Sequence, residues 1–461
     1  MKLSFHGADR GVTGSCHLLE CADKRLLVDC GLYQGERELD EQNAGPFGFD
    51  ACSIDYVLLT HAHLDHCGRL PLLVKKGFHG EIISTAASRD LARVVMLDAA
   101  QLQEEEARRH TRRAHRRGDR QASEPLYAAL DAFQAMERFG RTAAYGEPVE
   151  LSAGLMVTFL DAGHILGSAS LVLQCQEPER KRVLAFSGDL GSRGRPLLRD
   201  PVPPPHCDAL IMETTYGDRL HKSLQSSVEE LYQAIESTHQ RGGNVIIPTF
   251  ALERAQELLY FLRDGVEQGR LSQHLQVFLD SPLAVSATEI FERHPEAYGT
   301  RVAEMLKAGR DPFRLPGLHF VREVSDSMAL NRVASGAIIM AGSGMCTGGR
   351  VRHHLRHNLW REECSVVFVG YAASGTLARQ IIDGAPFVRI FDEEVRVRAQ
   401  VHTINGFSAH ADRDELLAWH RSVAPERTFL VHGEEAVMQQ FARQLGTGTA
   451  DMPELGEVIE L

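Results

Sequence analysis

The sequence predicts an α/β protein in which a second domain, with a parallel sheet flanked by helices, interrupts a β-rich outer domain. Both ends of the 461-residue chain contain short apolar runs separated by Gly, Asp and His, a pattern typical of strands. The middle alternates apolar runs with amphipathic helices, which indicates a parallel sheet covered on both faces. Because the β-rich pattern returns after the middle block, we interpret that block as an insertion into the outer domain.

The first part of the chain contains six strand-like runs around one helix. The helix is expected from about Ala87 to Arg109, where glutamates precede arginines by four residues, the favourable order for helical ion pairs. The most basic segment of the chain, residues 108–120, overlaps its end. The runs are KLSFHGA, CHLLEC, RLLVDCG and YVLLTHAH before the helix, and LMVTFLDAGH and RVLAFSGDLG after it.

The middle block begins at about residue 214 with a helix. Its start is assigned to a capping box from Ser227 to Glu230 and its end to Gly242. Four strand–helix pairs follow, and the β-rich pattern returns after about Val395. The strands are NVIIPTF, LQVFLD, GAIIMAGSG and CSVVFVGY, and the paired helices are ALERAQELLYFL, PLAVSATEIFERH, GGRVRHHLRH and GTLARQII. The predicted outer domain comprises residues 1–213 and 395–461, and the insertion comprises residues 214–394.

Composition places the chain among globular proteins of a reducing compartment. The nine cysteines form no C-x-x-C pair, and their odd number indicates reduced thiols and a cytoplasmic location. No run of about 18 apolar residues predicts a membrane span, and the opening MKLSFHGADRG becomes polar too early for a signal peptide. The net charge of −12 argues against coating nucleic acid with the whole surface but allows a local basic groove.

Histidines concentrate in one motif, THAHLDHCG, directly after the apolar run YVLL. The motif contains His61, His63, Asp65 and His66. Imidazole and carboxylate are common zinc ligands. In an extended loop, residues two apart point the same way, so His61 and His63 can bind one ion, and the turn into the next helix can direct the other two side chains to a second ion. The spacing predicts half of a dinuclear metal site rather than an exposed polar loop.

Three more candidate ligands follow apolar runs elsewhere in the chain. They are His164 in LDAGH, Asp189 in FSGDLG and His432 in FLVHGE. Because a carboxylate has two oxygens, Asp189 can bridge two ions. Taken singly, each of the three is equally consistent with a structural role beside a strand.

Taken together and in this order, the motifs resemble those of the metallo-β-lactamase fold. The resemblance rests on Asp29 in LLVDCG, the histidine-rich loop motif, His164 and Asp189. Glu213 in METTYGDR, His410 in GFSAHAD and His432 in LVHGE are similar to three further motifs of the β-CASP branch, which includes the mRNA 3′-end processing endonuclease and ribonuclease J. The resemblance covers essentially the whole chain. It implies a metallo-β-lactamase αββα sandwich with an inserted β-CASP domain, in the compact bacterial or archaeal form.

The resemblance implies two zinc ions per chain. His61, His63, His164 and Asp189 would bind one ion, and Asp65, His66, Asp189 and His432 the other. Asp29 would orient these ligands or the bridging water. In diiron relatives the second histidine of the loop motif is typically a glutamate, so His63 favours zinc, while ligand type alone leaves iron and manganese open.

The resemblance also implies hydrolysis of phosphodiester bonds in single-stranded RNA, in RNA processing or decay. Two metal ions can share a hydroxide and bind a phosphate oxygen, and the pKa of the bound water then falls to about 7. His410 would be the general acid, held by Glu213, and Asp65 and Asp29 would complete the catalytic set. DNA-directed relatives tend to carry an aliphatic residue in place of His432, which favours RNA. An endoribonuclease leaving 5′-phosphate and 3′-hydroxyl ends is the first expectation, and a 5′-exoribonuclease is the alternative.

Two Gly-rich turns after strands are candidates for holding the RNA backbone. Such turns direct backbone N–H groups toward anions. The candidate substrate-binding residues are Ser343, Gly344, Gly348, Gly349 and Arg350 in AGSGMCTGGR, Ser374 and Gly375 in YAASGT, and Ser408 in GFSAHAD. The basic run 108–120 either follows RNA phosphates or is a solvated helix end, and the sequence leaves both open.

Two other functions are compatible with the metal motifs. One is a hydrolase of small phosphodiesters or thioesters on the same core, since a fold alone does not fix the substrate. The other is a non-catalytic RNA-binding scaffold. The insertion, together with Glu213 and His410, argues against the first, and the complete ligand set argues against the second. The expected partner is single-stranded RNA, no membrane partner is expected, and a homodimer is left open.

Overall fold

The computed structural model describes residues 1–35, 37–116, 123–176, 180–370, 372–373, 375–446, 448 and 450–461. Within these ranges the chain forms two compact units. The first unit comprises Met1–Leu220 and His410–Leu461, and the second comprises His221–Ala409. The domain boundaries expected after residues 213 and 394 stay predictions.

The first unit is built from short strands and α-helices. Its N-terminal part contains β1 (Lys2–Phe5), β2 (His17–Cys21), β3 (Lys24–Val28), α1 (Arg37–Ala44), β4 (Tyr56–Leu58), α2 (Leu64–Cys67), α3 (Leu70–Lys75), β5 (Glu81–Ser84), α4 (Ala86–Arg116), α5 (Ala129–Met136), β6 (Phe139–Thr142), β7 (Pro148–Ser152), β8 (Leu155–Asp161), β9 (Ala169–Gln176), β10 (Lys181–Phe186) and β11 (Ala209–Glu213).

The second unit occupies the middle of the chain. It contains α6 (Leu224–Gln240), β12 (Val245–Pro248), α7 (Arg254–Glu267), β13 (Gln276–Asp280), α8 (Pro282–Arg293), α9 (Thr300–Lys307), β14 (Leu318–Phe320), α10 (Val324–Leu330), β15 (Ala337–Ala341), α11 (Val351–Asn358), β16 (Ser365–Phe368), α12 (Leu377–Ile382), β17 (Phe387–Ile390), β18 (Glu393–Arg396) and β19 (Gln400–Thr403). The chain then returns to the first unit with α13 (Arg413–Val423), β20 (Arg427–Val431), α14 (Glu435–Leu445), β21 (Ala450–Asp451) and β22 (Val458–Glu460).

Two seven-stranded sheets form the centre of the first unit. Their strand orders are β22-β1-β2-β3-β4-β5-β6 and β21-β20-β11-β10-β9-β8-β7. One apolar core joins them, with Leu19 and Leu58 from the first sheet packed with Phe159 and Phe186 from the second. Such face-to-face packing buries one side of each strand and leaves the other side for helices.

The strand sequences explain this packing. In β8, buried residues alternate with half-buried residues along the whole strand, because successive side chains of a strand point to opposite faces of the sheet. On the outer face of the second sheet, Trp419 of α13 and Phe441 of α14 pack with Leu210 and Met212 of β11. The second sheet therefore lies between the first sheet and a helical layer, as in the αββα sandwich that the resemblance implies.

The second unit contains a six-stranded sheet in the order β14-β13-β15-β12-β16-β19. Every neighbouring pair in it is parallel. All four predicted strand–helix pairs form, and helices such as α11 and α12 pack their apolar residues on the sheet. The remaining strands, β17 and β18, form an antiparallel hairpin. The α/β class and the parallel sheet predicted from the sequence are therefore confirmed.

Two element boundaries differ from the sequence predictions. Helix α4 continues to Arg116 rather than ending at Arg109, because no Gly or Pro interrupts that stretch and its cations favour the carboxyl end of a helix. The predicted capping box at Ser227 is wrong. Helix α6 begins earlier, after Ser223, whose hydroxyl accepts from the backbone N–H of Ser226 (3.3 Å), and Ser227 is buried inside the helix.

Among the described residues, none of the helices combines the length and apolar character that a membrane span requires.

Candidate metal centre

Loops at the carboxyl ends of strands carry the candidate ligands. In the first sheet, β3, β4 and β5 run parallel, and Asp29 and the segment 61–66 follow the first two of these strands. In the second sheet, β10, β11 and β20 run parallel. Asp189 follows β10, Glu213 ends β11 and His432 follows β20. Because parallel strands end at one edge of a sheet, residues far apart in the sequence meet there.

Two of these strand ends have a left-handed backbone at a residue other than glycine. The φ angle is 61° at Asp29 and 49° at His432, a conformation that costs of order 1–3 kcal/mol and persists only where its surroundings hold it. The backbone N–H of Asp29 donates to the carbonyl of Leu58 (3.1 Å), and that of His432 donates to the carbonyl of Ala8 (2.7 Å). The turn at each strand end directs its side chain toward the second cluster, where Asp29 contacts His66 and His432 contacts Asp65.

The first cluster contains His61, His63, His164 and Asp189, with one potential ligand atom from each within 4.8 Å of all the others. His63 Nδ1 lies 3.1 Å from both His61 Nε2 and His164 Nε2. Asp189 Oδ2 lies 3.5 Å from His61 Nε2 and 3.6 Å from His164 Nε2. Three imidazole nitrogens and one carboxylate oxygen therefore converge on a common point.

The second cluster contains Asp65, His66 and His432, again with ligand atoms within 4.8 Å of one another. His432 Nε2 lies 3.4 Å from Asp65 Oδ2. The second oxygen of Asp189, Oδ1, lies 3.4 Å from His66 Nε2 and 3.6 Å from His432 Nδ1. Asp189 thus directs one oxygen to each cluster, which is the arrangement of a bridging carboxylate.

The donor set fits a pair of divalent cations. His66 Nε2 and Asp189 Oδ1 are buried and 3.4 Å apart, but neither makes a hydrogen bond with any described group. Buried polar atoms usually have a partner, and a bound cation would be a partner for both. Burial lowers the pKa of His61, with a further contribution from His66, and burial likewise lowers the pKa of His164. Both imidazoles are therefore neutral, the form that binds a metal. Nitrogen and oxygen donors suit zinc.

Asp29 holds the loop that carries both clusters. Its Oδ1 accepts from the backbone N–H of Thr60 (2.8 Å), and its Oδ2 accepts from the Thr60 hydroxyl (2.7 Å) and from His66 Nδ1 (2.8 Å). Donation through Nδ1 fixes the His66 tautomer and leaves the Nε2 lone pair facing the cluster. Asp29 thus contacts one candidate ligand, His66, and its orienting role stays a prediction.

Glu213 and His410 form a third group beside Asp189. Glu213 is buried, and one of its oxygens accepts from the backbone N–H of Leu190 (2.6 Å) while the other accepts from that of Thr215 (3.1 Å). His410 Nδ1 lies 3.3 Å from Glu213 Oε1 and 4.0 Å from Asp189 Oδ2. Neither of the first two clusters includes His410.

The environment of His410 favours its protonated form. Burial opposes the positive charge, but the Glu213 and Asp189 carboxylates outweigh burial and raise the pKa of His410 above its usual value. The His410 side chain retains 20% exposure. An isolated antiparallel β-bridge between Gly191 and His410 holds the backbone of His410 next to the loop that follows Asp189.

Several residues that hold the site were not found from the sequence. The Ser168 hydroxyl accepts from the backbone N–H groups of His164 (3.0 Å) and Ile165 (3.2 Å) and so fixes the His164 loop. Thr215 Oγ1 lies 3.1 Å from His432 Nδ1. A threonine or serine beside a motif histidine, as in THAH and GHILGS, is a weak signal, because these partners become apparent only in the folded chain.

The predicted Gly-rich turn after β15 lies in the second unit. The Ser343 hydroxyl accepts weakly from the backbone N–H of Gly348 (3.5 Å). A Cβ atom on Gly344 would lie 2.8 Å from the Phe250 ring, and one on Gly349 would lie 2.3 Å from the carbonyl oxygen of Gly342. Glycine is therefore required where the turn packs against itself and against Phe250.

Arg350, at the end of this turn, is engaged by protein groups. Its guanidinium donates to the buried carboxylate of Asp280 (2.7 Å) and to the carbonyl of Arg322 (2.6 Å). These contacts anchor the turn to neighbouring loops. Of the remaining substrate candidates, Ser374 lies outside the described residues, Gly375 has a φ of 79° and nothing within 4 Å of an added Cβ atom, and Ser408 is buried.

Family models match three consecutive parts of the chain. Residues 9–249 match the metallo-beta-lactamase superfamily, residues 255–381 match the Beta-Casp domain, and residues 394–453 match a domain described as "Zn-dependent metallo-hydrolase RNA specificity domain". The three matches follow the order of the motifs in the sequence.

Two kinds of protein are similar to this chain over nearly its whole length. Ribonuclease TTHA0252 of Thermus thermophilus is 42% identical over 94% of both chains. The protein named transcription termination factor FttA is 31% identical in Methanocaldococcus jannaschii, over 96% of this chain and 68% of that protein. In Methanothermobacter thermautotrophicus, FttA is 32% identical over 94% of this chain and 67% of that protein.

A solved structure supports the fold alone. A protein of unknown function from Enterococcus faecalis superposes with a TM-score of 0.55 at 12% identity, covering 100% of this chain and 99% of that one. The family matches, the ribonuclease relative and the paired histidine–aspartate clusters agree with one another. The chain belongs to the β-CASP branch of the metallo-β-lactamase superfamily and is a metal-dependent hydrolase.

Proposed function

We propose that this chain is a zinc-dependent nuclease that hydrolyses phosphodiester bonds of single-stranded RNA, as an endoribonuclease of RNA processing or decay. The relative named as a ribonuclease, 42% identical over 94% of both chains, supports this substrate class. The match of residues 394–453 to a domain named for RNA specificity supports it as well.

Two zinc ions per chain complete the proposed enzyme. His61, His63 and His164 would hold one ion, and Asp65, His66 and His432 the other, with one oxygen of Asp189 for each. When bound, the ions supply a water of lowered pKa and positive charge next to a phosphate oxygen. Asp29 keeps His66 in the tautomer that binds metal.

The observation that carries the proposal is the position of His410. Its Nδ1 lies 3.3 Å from Glu213 Oε1 and 4.0 Å from Asp189 Oδ2. Hydrolysis of a phosphodiester needs a proton for the oxygen that leaves. Water attacks phosphorus and gives up one proton to the solvent, the bond to the 3′ oxygen breaks, and His410 donates its proton to that oxygen. His410 then regains a proton from the solvent. Glu213 balances the charge of His410 and orients its ring. The products carry 5′-phosphate and 3′-hydroxyl ends.

The Gly-rich turns contribute RNA contacts in this proposal. Ser343, Gly344, Gly348 and Gly349, and likewise Gly375 and Ser408, would offer hydroxyl and backbone N–H groups to phosphates. Arg350 would act mainly by holding the first turn in place, because its guanidinium already donates to Asp280 and Arg322.

The proton-donor role is tested with His410→Ala, with His206→Ala as the matched control because His206 is an exposed histidine of the same unit. We expect His410→Ala to retain the zinc content of the unmodified protein and to lose about 10²–10⁴-fold in kcat on single-stranded RNA. Zinc is measured by mass spectrometry of the purified protein. Full activity of His410→Ala with both ions bound would refute the role.

The mode of cleavage is tested with RNA labelled at either end. An endonuclease produces internal fragments from both labels at early times, whereas a 5′-exonuclease releases labelled mononucleotides from the 5′ end first. Faster turnover of p-nitrophenyl phosphodiesters or thioesters than of RNA would replace the proposal with a small-molecule hydrolase. RNA binding without cleavage by the zinc-loaded protein would indicate a scaffold.

A further inference from the structure

Four arginines form one face at the carboxyl end of α4. Arg109, Arg112, Arg113 and Arg116 are spaced i, i+3, i+4 and i+7. At about 100° per residue this spacing brings their side chains onto one side of a helix. We call these four residues the α4 arginine face.

The α4 arginine face is exposed and lacks carboxylate partners among the described residues. All four side chains are exposed to solvent, and within the described part of the chain none of them lies within ion-pair distance of an acidic group. Neighbouring cations are paired instead: Arg108 with Glu104 (2.9 Å) and His110 with Glu106 (3.6 Å). On the side that carries the four arginines, Glu105 precedes Arg109 by four residues, and within the described part of the chain no ion pair joins the two. Four positive charges therefore outnumber one carboxylate on this side of the helix.

Helix stability does not account for this arrangement. The attraction between cations and the carboxyl end of a helix is confined to about the last turn, and Arg109 and Arg112 lie four or more residues before Arg116. The chain as a whole carries a net charge of −12. Four such arginines on one face of an otherwise acidic protein therefore indicate a polyanionic partner.

We infer that the α4 arginine face is a second RNA-binding site, which contacts phosphates of long RNA beyond the segment held at the metal centre. This inference rests on the proposed function. The planar guanidinium can donate two parallel hydrogen bonds to a phosphate, which suits arginine to this task. A membrane surface fits poorly, because the exposed residues of segment 108–116 include none of the large apolar side chains with which interfacial helices enter lipid.

The length of α4 separates this face from the metal centre. At the start of the helix, the Ser88 hydroxyl donates to the carbonyl of Gly167 (2.8 Å), in the loop that carries His164. At 1.5 Å per residue, Arg109 lies about 32 Å and Arg116 about 42 Å along the helix from Ser88. A stacked strand advances about 3.4 Å per nucleotide, so roughly 9–12 nucleotides span this distance. The arginine face therefore contributes only to the binding of long RNA.

The experiment compares RNA lengths in the zinc-loaded, full-length protein. Fluorescein-labelled RNAs of 4 and 30 nucleotides with hydrolysis-resistant phosphorothioate linkages are bound at several KCl concentrations, and Kd is measured by polarisation. The variants are Arg109→Gln, Arg112→Gln, Arg113→Gln and Arg116→Gln combined, and the same four positions changed to Lys. The matched control combines Arg→Gln changes at Arg180, Arg421, Arg427 and Arg443, which are exposed arginines of the same unit. Circular dichroism checks that the helices are retained.

We expect the glutamine variant to bind the 30-nucleotide RNA at least 10-fold more weakly at 100 mM KCl. The association constant decreases as salt increases, and the steepness of log association constant against log salt should decrease by about 0.7 for each phosphate that the variant no longer neutralises. The total decrease should be up to about 3. The lysine variant should keep most of the slope, and every variant should bind the 4-nucleotide RNA alike.

Three results would overturn the inference. One is an equal loss of slope in the control, and another is an equal loss with the short RNA. The third is unchanged binding of the 30-nucleotide RNA by the glutamine variant. If that variant instead loses binding to phosphatidylserine vesicles in a parallel sedimentation assay, a membrane is the partner. Failure of the unmodified protein to cleave RNA would overturn the nuclease proposal alone, because these measurements report binding.

Discussion

Asp29 shows how one side chain joins the histidine-rich loop to a neighbouring strand end. Its carboxylate accepts three hydrogen bonds, two from Thr60 and one from His66, and its own backbone is left-handed. The sequence motif LLVDCG predicted an orienting aspartate. It did not predict Thr60 as the partner, because that contact joins residues 31 positions apart and exists only once β3 and β4 are paired.

Replacing Asp29 with Asn is expected to weaken zinc binding about 10–100-fold, the usual effect of losing a residue that orients a ligand. Asparagine keeps the shape and tolerates a left-handed backbone, but its amide nitrogen cannot accept a hydrogen bond from Thr60 or His66. Zinc affinity is measured by competition with a chelating dye. The matched control is Asp23→Asn, at another left-handed aspartate (φ 57°) in the β2–β3 turn. Equal zinc affinity in the two variants would contradict this role.

At the scale of elements, the ligand-bearing loops pack backbone against backbone. A Cβ atom on Gly31, after β3, would lie 1.6 Å from the carbonyl oxygen of Asp65. A Cβ atom on Gly191, after β10, would lie 1.8 Å from the carbonyl oxygen of Gly163, next to His164. These glycines allow loops from different strands to approach closely enough for their side chains to meet in the histidine–aspartate clusters.

The substitution Gly31→Ala is therefore expected to displace the loop that contains Asp65 and His66. Because the clash is with backbone atoms, we expect a loss of about 1–3 kcal/mol in the free energy of unfolding, the usual cost of overpacking, together with reduced zinc content. Urea unfolding and metal analysis measure the two effects. Gly11→Ala is the matched control, since nothing lies within 4 Å of a Cβ atom there. A Gly31→Ala protein as stable and as zinc-rich as the control would refute the packing argument.

Element types were predicted better than element ends. The four strand–helix pairs of the second unit follow from alternating apolar runs, which a single sequence displays directly. The start of α6 was misplaced because several serines precede its apolar positions, and only the structure distinguishes the capping Ser223 from the buried Ser227. The end of α4 was placed too early because a charged, exposed helix end has no apolar periodicity to reveal it.

At the scale of the whole molecule, the side-chain clusters proposed to bind metal belong to one unit. In the part of the chain that the structure describes, all three histidine–carboxylate groups lie in the first unit. The order of the motifs predicted these groups from the sequence, since each motif residue stands next to a strand-like run. Substrate contacts were less predictable, as Arg350 illustrates: an apparently available cation proves to be bound to Asp280, 70 residues earlier.

Zinc binding is expected to protect the two units unequally. A ligand that binds only the folded state stabilises it by about 2.7 kcal/mol at 100 times its Kd, and the proposed zinc ligands all lie in the first unit. Hydrogen–deuterium exchange with zinc and with EDTA should show slower exchange with zinc around residues 61–66, 164, 189 and 432. Peptides from 221–409 should exchange alike in both conditions, and Asp189→Ala should abolish the difference. Equal protection of both units by zinc would contradict the expectation.

The strand order of the first unit constrains when the enzyme can become active during its synthesis. Strand β20, which precedes His432, pairs with β11 across more than 200 intervening residues, and β1 pairs with β22 near the other end of the chain. A nascent chain that has reached only residue 400 contains the histidine-rich loop but neither His410 nor His432. The two clusters and the His410–Glu213 pair therefore assemble only after β20 and His432 have been synthesised and paired with β11.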